Sequence, residues 1–191
     1  MTSTTRSLRW RLGPGDDAGL EHVEVKIADS GIAAEAVVIA GAGEAAYGAR
    51  WRIVVDPDWA CTRSVHLTRL GGPTVALRHD GYGVWSDGEG KTRKEFAGLA
   101  DCLIDGSPFG LTQILKRLGA KAAKAQSFDV VVVTLPGLSV ERASLRLEPI
   151  EAGRRWRLGR GEASVEIAVD ADGFVIAYGE TATRIEPAAA A

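Results

Sequence analysis

The sequence predicts a mainly β protein, mostly antiparallel, with one short helix near its middle. Three observations carry this. Apolar and polar residues alternate with a period of two through most of the chain, short clusters of glycine, proline and aspartate interrupt the alternation, and only one stretch shifts to helical spacing. About a dozen short strands at such spacing mean a barrel, a roll or a sandwich.

Arg6 to Leu12 alternates from its first residue, and His22 to Ala28 sets Val23, Val25 and Ile27 on one face. Ala34–Ala40, Arg50–Val55, Arg63–Leu70 and Thr74–His79 repeat the pattern. At Asp105-Gly106-Ser107-Pro108 the period breaks. Ser107 is a capping residue, and Pro108 suits the first helical position, which needs no donated hydrogen bond. A helix of about three turns follows to Leu118, before Gly119, with Leu111, Ile114, Leu115 and Leu118 in one apolar stripe that must cover a β surface. Strands resume at Phe128–Leu135, Val140–Leu147, Arg154–Leu158, Ala163–Val169, Phe174–Tyr178 and Ala182–Ile185. The run Val130 to Val133 predicts a strand buried on both faces. Asp170-Ala171-Asp172-Gly173 predicts a hairpin turn in which Gly173 takes a positive φ.

The 191 residues, 46% hydrophobic and 25% charged, are ordinary for a globular chain and predict one domain over residues 1–186, with 187–191 a frayed tail. A formal charge of −2 provides no field to recruit nucleic acid. Cys61 and Cys102 are far apart, and with His22, His66 and His79 they form no metal-binding spacing. No export signal precedes the first alternating segment and no apolar run is long enough to span a bilayer, so a soluble, cytoplasmic protein is expected.

Motifs that suggest chemistry reduce to turns. Gly41-Ala42-Gly43-Glu44-Ala45-Ala46 fits a dinucleotide fingerprint, but Trp51 begins the next strand too soon for a crossover helix. Asp170–Gly173 and Ser86–Gly90 lack the ligand spacing of a calcium loop. No nucleophile elbow or triad spacing is present, and no cofactor is expected. The tryptophans Trp10, Trp51, Trp59, Trp85 and Trp156 combine an apolar face with one donor, as the rim of a cavity for an amphipathic ligand requires. They equally suit the ends of a packed β core.

Taken together, Asp80-Gly81-Tyr82-Gly83-Val84-Trp85, Asp101-Cys102-Leu103-Ile104-Asp105, Ser107-Pro108-Phe109, Lys116-Arg117-Leu118 and Asp170 to Val175 resemble the putative glycolipid-binding family of bacterial proteins. Trp51 to Trp59 and Pro136-Gly137-Leu138 extend the resemblance over nearly the whole chain. It implies a spiral β-roll: a single, strongly curved antiparallel sheet that partly encloses an apolar space, similar in shape to the half-barrels that carry lipoproteins and lipids. The expected function is therefore non-enzymatic binding of a glycolipid-like or other amphipathic molecule in the concave face. Trp51, Trp85 and Trp156 are the expected lining, Leu111 comes from the covering helix, and Arg78 with Asp80 stand at the mouth. A scaffold or protein-interaction domain with a filled core is the alternative. An enzyme would draw on Asp80, Asp105 or His66.

Overall fold

The structure, a computed structural model, describes residues 3–15, 18–118 and 123–186. Its first half contains β1 (Ser3–Leu12), β2 (Gly19–Ala28), β3 (Gly31–Ala40), β4 (Tyr47–Val55), β5 (Thr62–Arg69), β6 (Thr74–His79), β7 (Trp85–Asp87) and β8 (Cys102–Asp105). The helix α1 (Pro108–Leu118) follows, then β9 (Gln126–Thr134), β10 (Val140–Glu151), β11 (Arg155–Arg160), β12 (Ala163–Val169), β13 (Val175–Tyr178) and β14 (Ala182–Arg184). The helix occupies the predicted span. Gly119, its expected stop, and the expected tail 187–191 lie outside the described residues.

All fourteen strands form one open sheet in the order β7-β6-β5-β4-β3-β2-β1-β14-β13-β12-β11-β10-β9-β8. Neighbouring strands pair antiparallel, the join between β1 and β14 unites the two halves in one surface, and among the described residues only β8 and β9 run parallel. The two strands without a sequence signature are β7 and β8, of three and four residues. The 41–46 segment is the predicted β3–β4 hairpin connection, and Gly173 adopts the expected positive φ, 79°.

The sheet curves until its β8–β9 end is buried on both sides. Val131, Val133, Cys102 and Ile104 enter a core built on β1 to β6, whereas Val130, Val132 and Leu103 enter a second core built on β10 to β13. This double burial accounts for the uninterrupted valine run, which alternating polarity would have left with polar atoms in one of the cores.

The helix serves both cores. Phe109 stacks on Trp51 in the first, with centroids 5.5 Å apart, and Leu111, Ile114 and Leu115 fill the second. Close approach to β8 is possible because Gly110 has no side chain: a Cβ there would stand 2.6 Å from the carbonyl oxygen of Ile104. Two buried polar networks fix the helix in register. Near its end, Thr62 donates to Gln113 (2.7 Å), Gln113 donates to Asp101 (2.9 Å), and Arg117 clamps the same carboxylate with contacts of 2.5 to 3.0 Å. At its start, Ser107 donates to Glu21 on β2 at 2.6 Å.

Candidate functional site

Period-two alternation distributes residues along the concave face of the second half so that β8, β10 and β11 grade from apolar to charged. On β11, Trp156, Leu158 and Arg160 share that face; on β10, Leu147, Leu145 and Glu141 do; on β8, Leu103 and Asp105. The helix covers only the deep part, where Leu111, Ile114 and Leu115 pack with Trp156, Ile167 and Val169. Beyond the helix the face stays open as a groove of about 260 Å³, lined by Leu103, Leu145, Leu158, Val165, Tyr178, Asp105 and Arg160. Small-molecule pockets commonly run about 300–1,000 Å³, so this one accommodates a single alkyl chain or one ring.

The mouth is a three-member charge cluster. Arg160 bridges Asp105 at 3.0 Å and also pairs with Glu141. Tyr178 lies beside it, and its phenol titrates above its ordinary value because of burial, with the Asp105 charge adding to the effect and Arg160 opposing it. The side chains of Asp105 and Arg160 are 35% and 38% exposed, so their remaining lone pairs and N–H groups face solvent and are free for hydroxyls. An apolar floor ending in donors and acceptors is suited to an amphiphile with a hydroxylated head.

Of the residues expected at a binding site, Trp156 and Leu111 lie behind this groove, both buried. The other four are placed elsewhere. Trp51 is in the first core, donating from Nε1 to Glu21 at 2.9 Å. Trp85 is fully buried, with its Nε1–H on the Leu99 carbonyl at 2.8 Å and its ring tilted against His79. Arg78 is exposed on β6. Asp80 accepts the backbone N–H groups of Tyr82 (2.7 Å) and Val84 (3.0 Å), which hold its pKa below the usual value and give it a turn-forming role. His66 lies on the convex face, in a second groove with Arg50, Arg52, Glu24 and Glu35. Among the residues considered for catalysis, Asp105 alone reaches the concave groove. Sequence reasoning did not single out Arg160, Glu141, Tyr178, Leu158 or Val165; the same-face series Trp156, Leu158, Arg160 is the one local signal that could have found them.

A third, wider cleft of about 610 Å³ runs along β1 and β14, but its Arg184 and Asp170 are paired with each other at 2.6 Å, and Arg184 also pairs with Glu186 at 2.8 Å. The buried Glu21 is the main electrostatic feature of the first core. Desolvation raises its pKa from 4.5 to about 7 against the lowering influence of Ser107 and Trp51, and its Oε2 has no hydrogen-bond partner. Tyr47 is raised by burial and by the Glu21 charge. No described helix is long and apolar enough to cross a membrane.

A curved open sheet, plugged by one helix at the deep end and amphipathic at the other, defines a mainly β protein with an open groove on its concave face. The chain belongs to the family described as "Putative glycolipid-binding", whose profile matches residues 7–184. Its fold is similar to that of a DUF1089 family protein from Pseudomonas aeruginosa known from a crystal structure, with a TM-score of 0.71 and 24% identity over 84% of this chain and 90% of the other. No curated protein matches the sequence significantly.

Proposed function

We propose that the protein is a non-enzymatic carrier or sensor of one amphipathic, glycolipid-like molecule, whose alkyl part lies on Leu103, Leu145, Leu158 and Val165 and whose hydroxylated head meets Asp105, Arg160 and Glu141. The observation that carries this reading is the gradient from apolar floor to charged mouth repeated on β8, β10 and β11. Membership in a family named for glycolipid binding supports it. Transferring about six methylenes from water to the groove contributes about 5 kcal/mol, enough for binding with modest help from the head. The first core is occupied, among the described residues, by buried side chains that include Phe96, Leu99, Phe109 and Phe174.

The test is calorimetric titration with an alkyl maltoside below its micellar concentration. The wild type should bind one equivalent. Ala163→Trp, at an exposed position lining the mouth, should fill the groove and weaken binding at least tenfold without unfolding the protein. A wild type that binds no alkyl maltoside and purifies without bound lipid by native mass spectrometry would overturn the proposal and favour a filled-core interaction domain.

A further inference from the structure

Strand β1 is paired along its whole length with β2, from Ser3 opposite Ala28 to Leu12 opposite Gly19, but its other side is covered only near its end. There Trp10, Arg11 and Leu12 stand opposite Arg184, Thr183 and Ala182 of β14. Gly13 donates to the Thr181 carbonyl at 2.7 Å, and Ile185 donates to the Arg9 carbonyl at 2.8 Å. Along an antiparallel strand the N–H and C=O groups of alternate residues face the same neighbour, so those of Ser7 and Thr5 face the same side as those of Arg9. Neither Ser7 nor Thr5 has a backbone partner on that side among the described residues.

The space beside them is one strand wide. β13 lies next to β14, with Ala177 opposite Thr183, and the turn that precedes β13 runs on where β14 stops. Trp10 Nε1 reaches past β14 to the Val175 carbonyl at 3.0 Å. Four residues earlier, Arg6 reaches across in the same way to Asp172 at 2.5 Å, its guanidinium over the Phe174 ring. Two strand spacings, about 9.5 Å, thus separate β1 from residues 172–174, and the gap is the cleft of about 610 Å³ at the β1–β14 seam. Sheet edges are commonly blunted by proline or by charged side chains. Ser3 to Ser7 contains no proline, Thr4 and Thr5 are β-branched and exposed, and the one charge, on Arg6, is held by Asp172.

We infer that this edge receives an extended segment of a partner protein, antiparallel to Ser3–Ser7, with an acidic side chain opposite Ser7. The width argues against β1 of a second copy, which carries its own β2 on its far side and needs room for two strands. The chain's own sequence does not supply the pairing either. The register of Trp10 with Arg184 sets position 187 opposite Ser7, and that residue is a proline, which has no N–H for the Ser7 carbonyl. The preference for a carboxylate follows from the charges along the cleft. Arg184 is paired with Asp170 and Glu186, and Arg6 with Asp172, whereas Arg9 meets only the Nδ1 acceptor of His22, at 3.2 Å, among the described residues. Glu24, opposite Ser7 on β2, lies against His22 Nε2 at 3.1 Å. A residue opposite Ser7 on the open side is the diagonal neighbour of Arg9 on the same face, about 7–8 Å away, within reach of a glutamate and an arginine.

The test is a titration of the isotope-labelled full chain with the peptide acetyl-Glu-Val-Thr-Val-Thr-amide, followed by amide NMR and hydrogen exchange. In the free protein the Thr5 and Ser7 amides should exchange much faster than those of Arg6 and Leu8, which face β2. The peptide should bind saturably, shift Thr5, Ser7 and Arg9, and slow exchange at Thr5 and Ser7. The same peptide N-methylated at its first and third residues, whose N–H groups would pair with Ser7 and Thr5, should bind at least tenfold more weakly. A version with lysine in place of glutamate should lose as much, and Arg9→Glu should reverse the order of the glutamate and lysine peptides. A glutamate peptide that does not bind, an N-methylated or lysine peptide that binds equally, or an unreversed order in the variant would overturn the inference. Slow exchange at Thr5 and Ser7 in the free protein would overturn it too. The edge would then belong to a second copy if sedimentation velocity shows a dimer, or to residues 187–191 if truncation after Glu186 restores fast exchange.

Discussion

Replacing Glu21 by glutamine isolates the electrostatic cost buried in the first core. The glutamine Oε1 can still accept from Trp51 and Ser107, which contact Oε1 in the native chain at 2.9 and 2.6 Å. The carboxyl titrates near its ordinary 4.5 when unfolded and near 7 when folded. Below the lower value both states are protonated and Glu21 imposes no ionisation cost. As pH rises from 4.5 through about 7, the unfolded chain releases a proton that the folded chain retains, so stability falls; above about 7 both states are ionised and the whole cost is present. At about 1.4 kcal/mol per pKa unit that cost is about 3 kcal/mol. Urea unfolding near pH 5, where a fraction of the cost is already present, and near pH 8 should therefore show the variant gaining about 2–3 kcal/mol on the wild type between the two conditions. Its new amide N–H group, placed where Oε2 lacks a partner, lowers the variant equally at both pH values and leaves this difference intact. Parallel pH profiles for the two proteins would refute a carboxyl desolvated in this way.

Arg117→Met should destabilise the fold by about 3–5 kcal/mol at neutral pH, because it strands the Asp101 carboxylate, only 1% exposed, and the loss should shrink in acid as Asp101 protonates. Thermal unfolding against pH checks both parts. Gly110→Ala should cost about 1–3 kcal/mol, since its Cβ meets the backbone of Ile104 and must push α1 from β8; chemical denaturation reads this directly. Arg160→Ala should change stability by less than about 1 kcal/mol, its ion pairs being solvent-screened, yet reduce alkyl maltoside affinity about tenfold in the same calorimetric titration.

Much of the sheet was legible because period two depends only on which face of each strand is buried, and β2, β3 and β4 alternate almost without interruption. The helix was legible for similarly local reasons: Ser107 and Pro108 mark its start and the leucine stripe marks its buried face. By contrast, β7 and β8 are too short for a period. Cys102-Leu103-Ile104 reads as a bare apolar run, and the parallel pairing that makes it a strand comes from β9, far along the chain.

The candidate site was less legible. Trp51 and Trp85 have the amphipathic character of rim residues, but Glu21 and the Leu99 carbonyl satisfy their N–H groups inside the core. Leu158 and Val165 are ordinary residues of alternating strands; they line a groove because α1 stops short of them, a matter of tertiary packing. Asp105 attracted notice as a titratable group, but its partner Arg160 is brought beside it only when β11 folds back against β8.

The central claim is that the concave groove of the second half holds an amphiphile. Methyl-resolved NMR during an alkyl maltoside titration tests it most directly. The account predicts saturable shifts concentrated on Leu103, Leu145, Leu158 and Val165, with the core methyls of Val25 and Ile53 unmoved. Absence of saturable shifts, or shifts confined to Leu20, Val37 and Ile39 on the convex face, would contradict it.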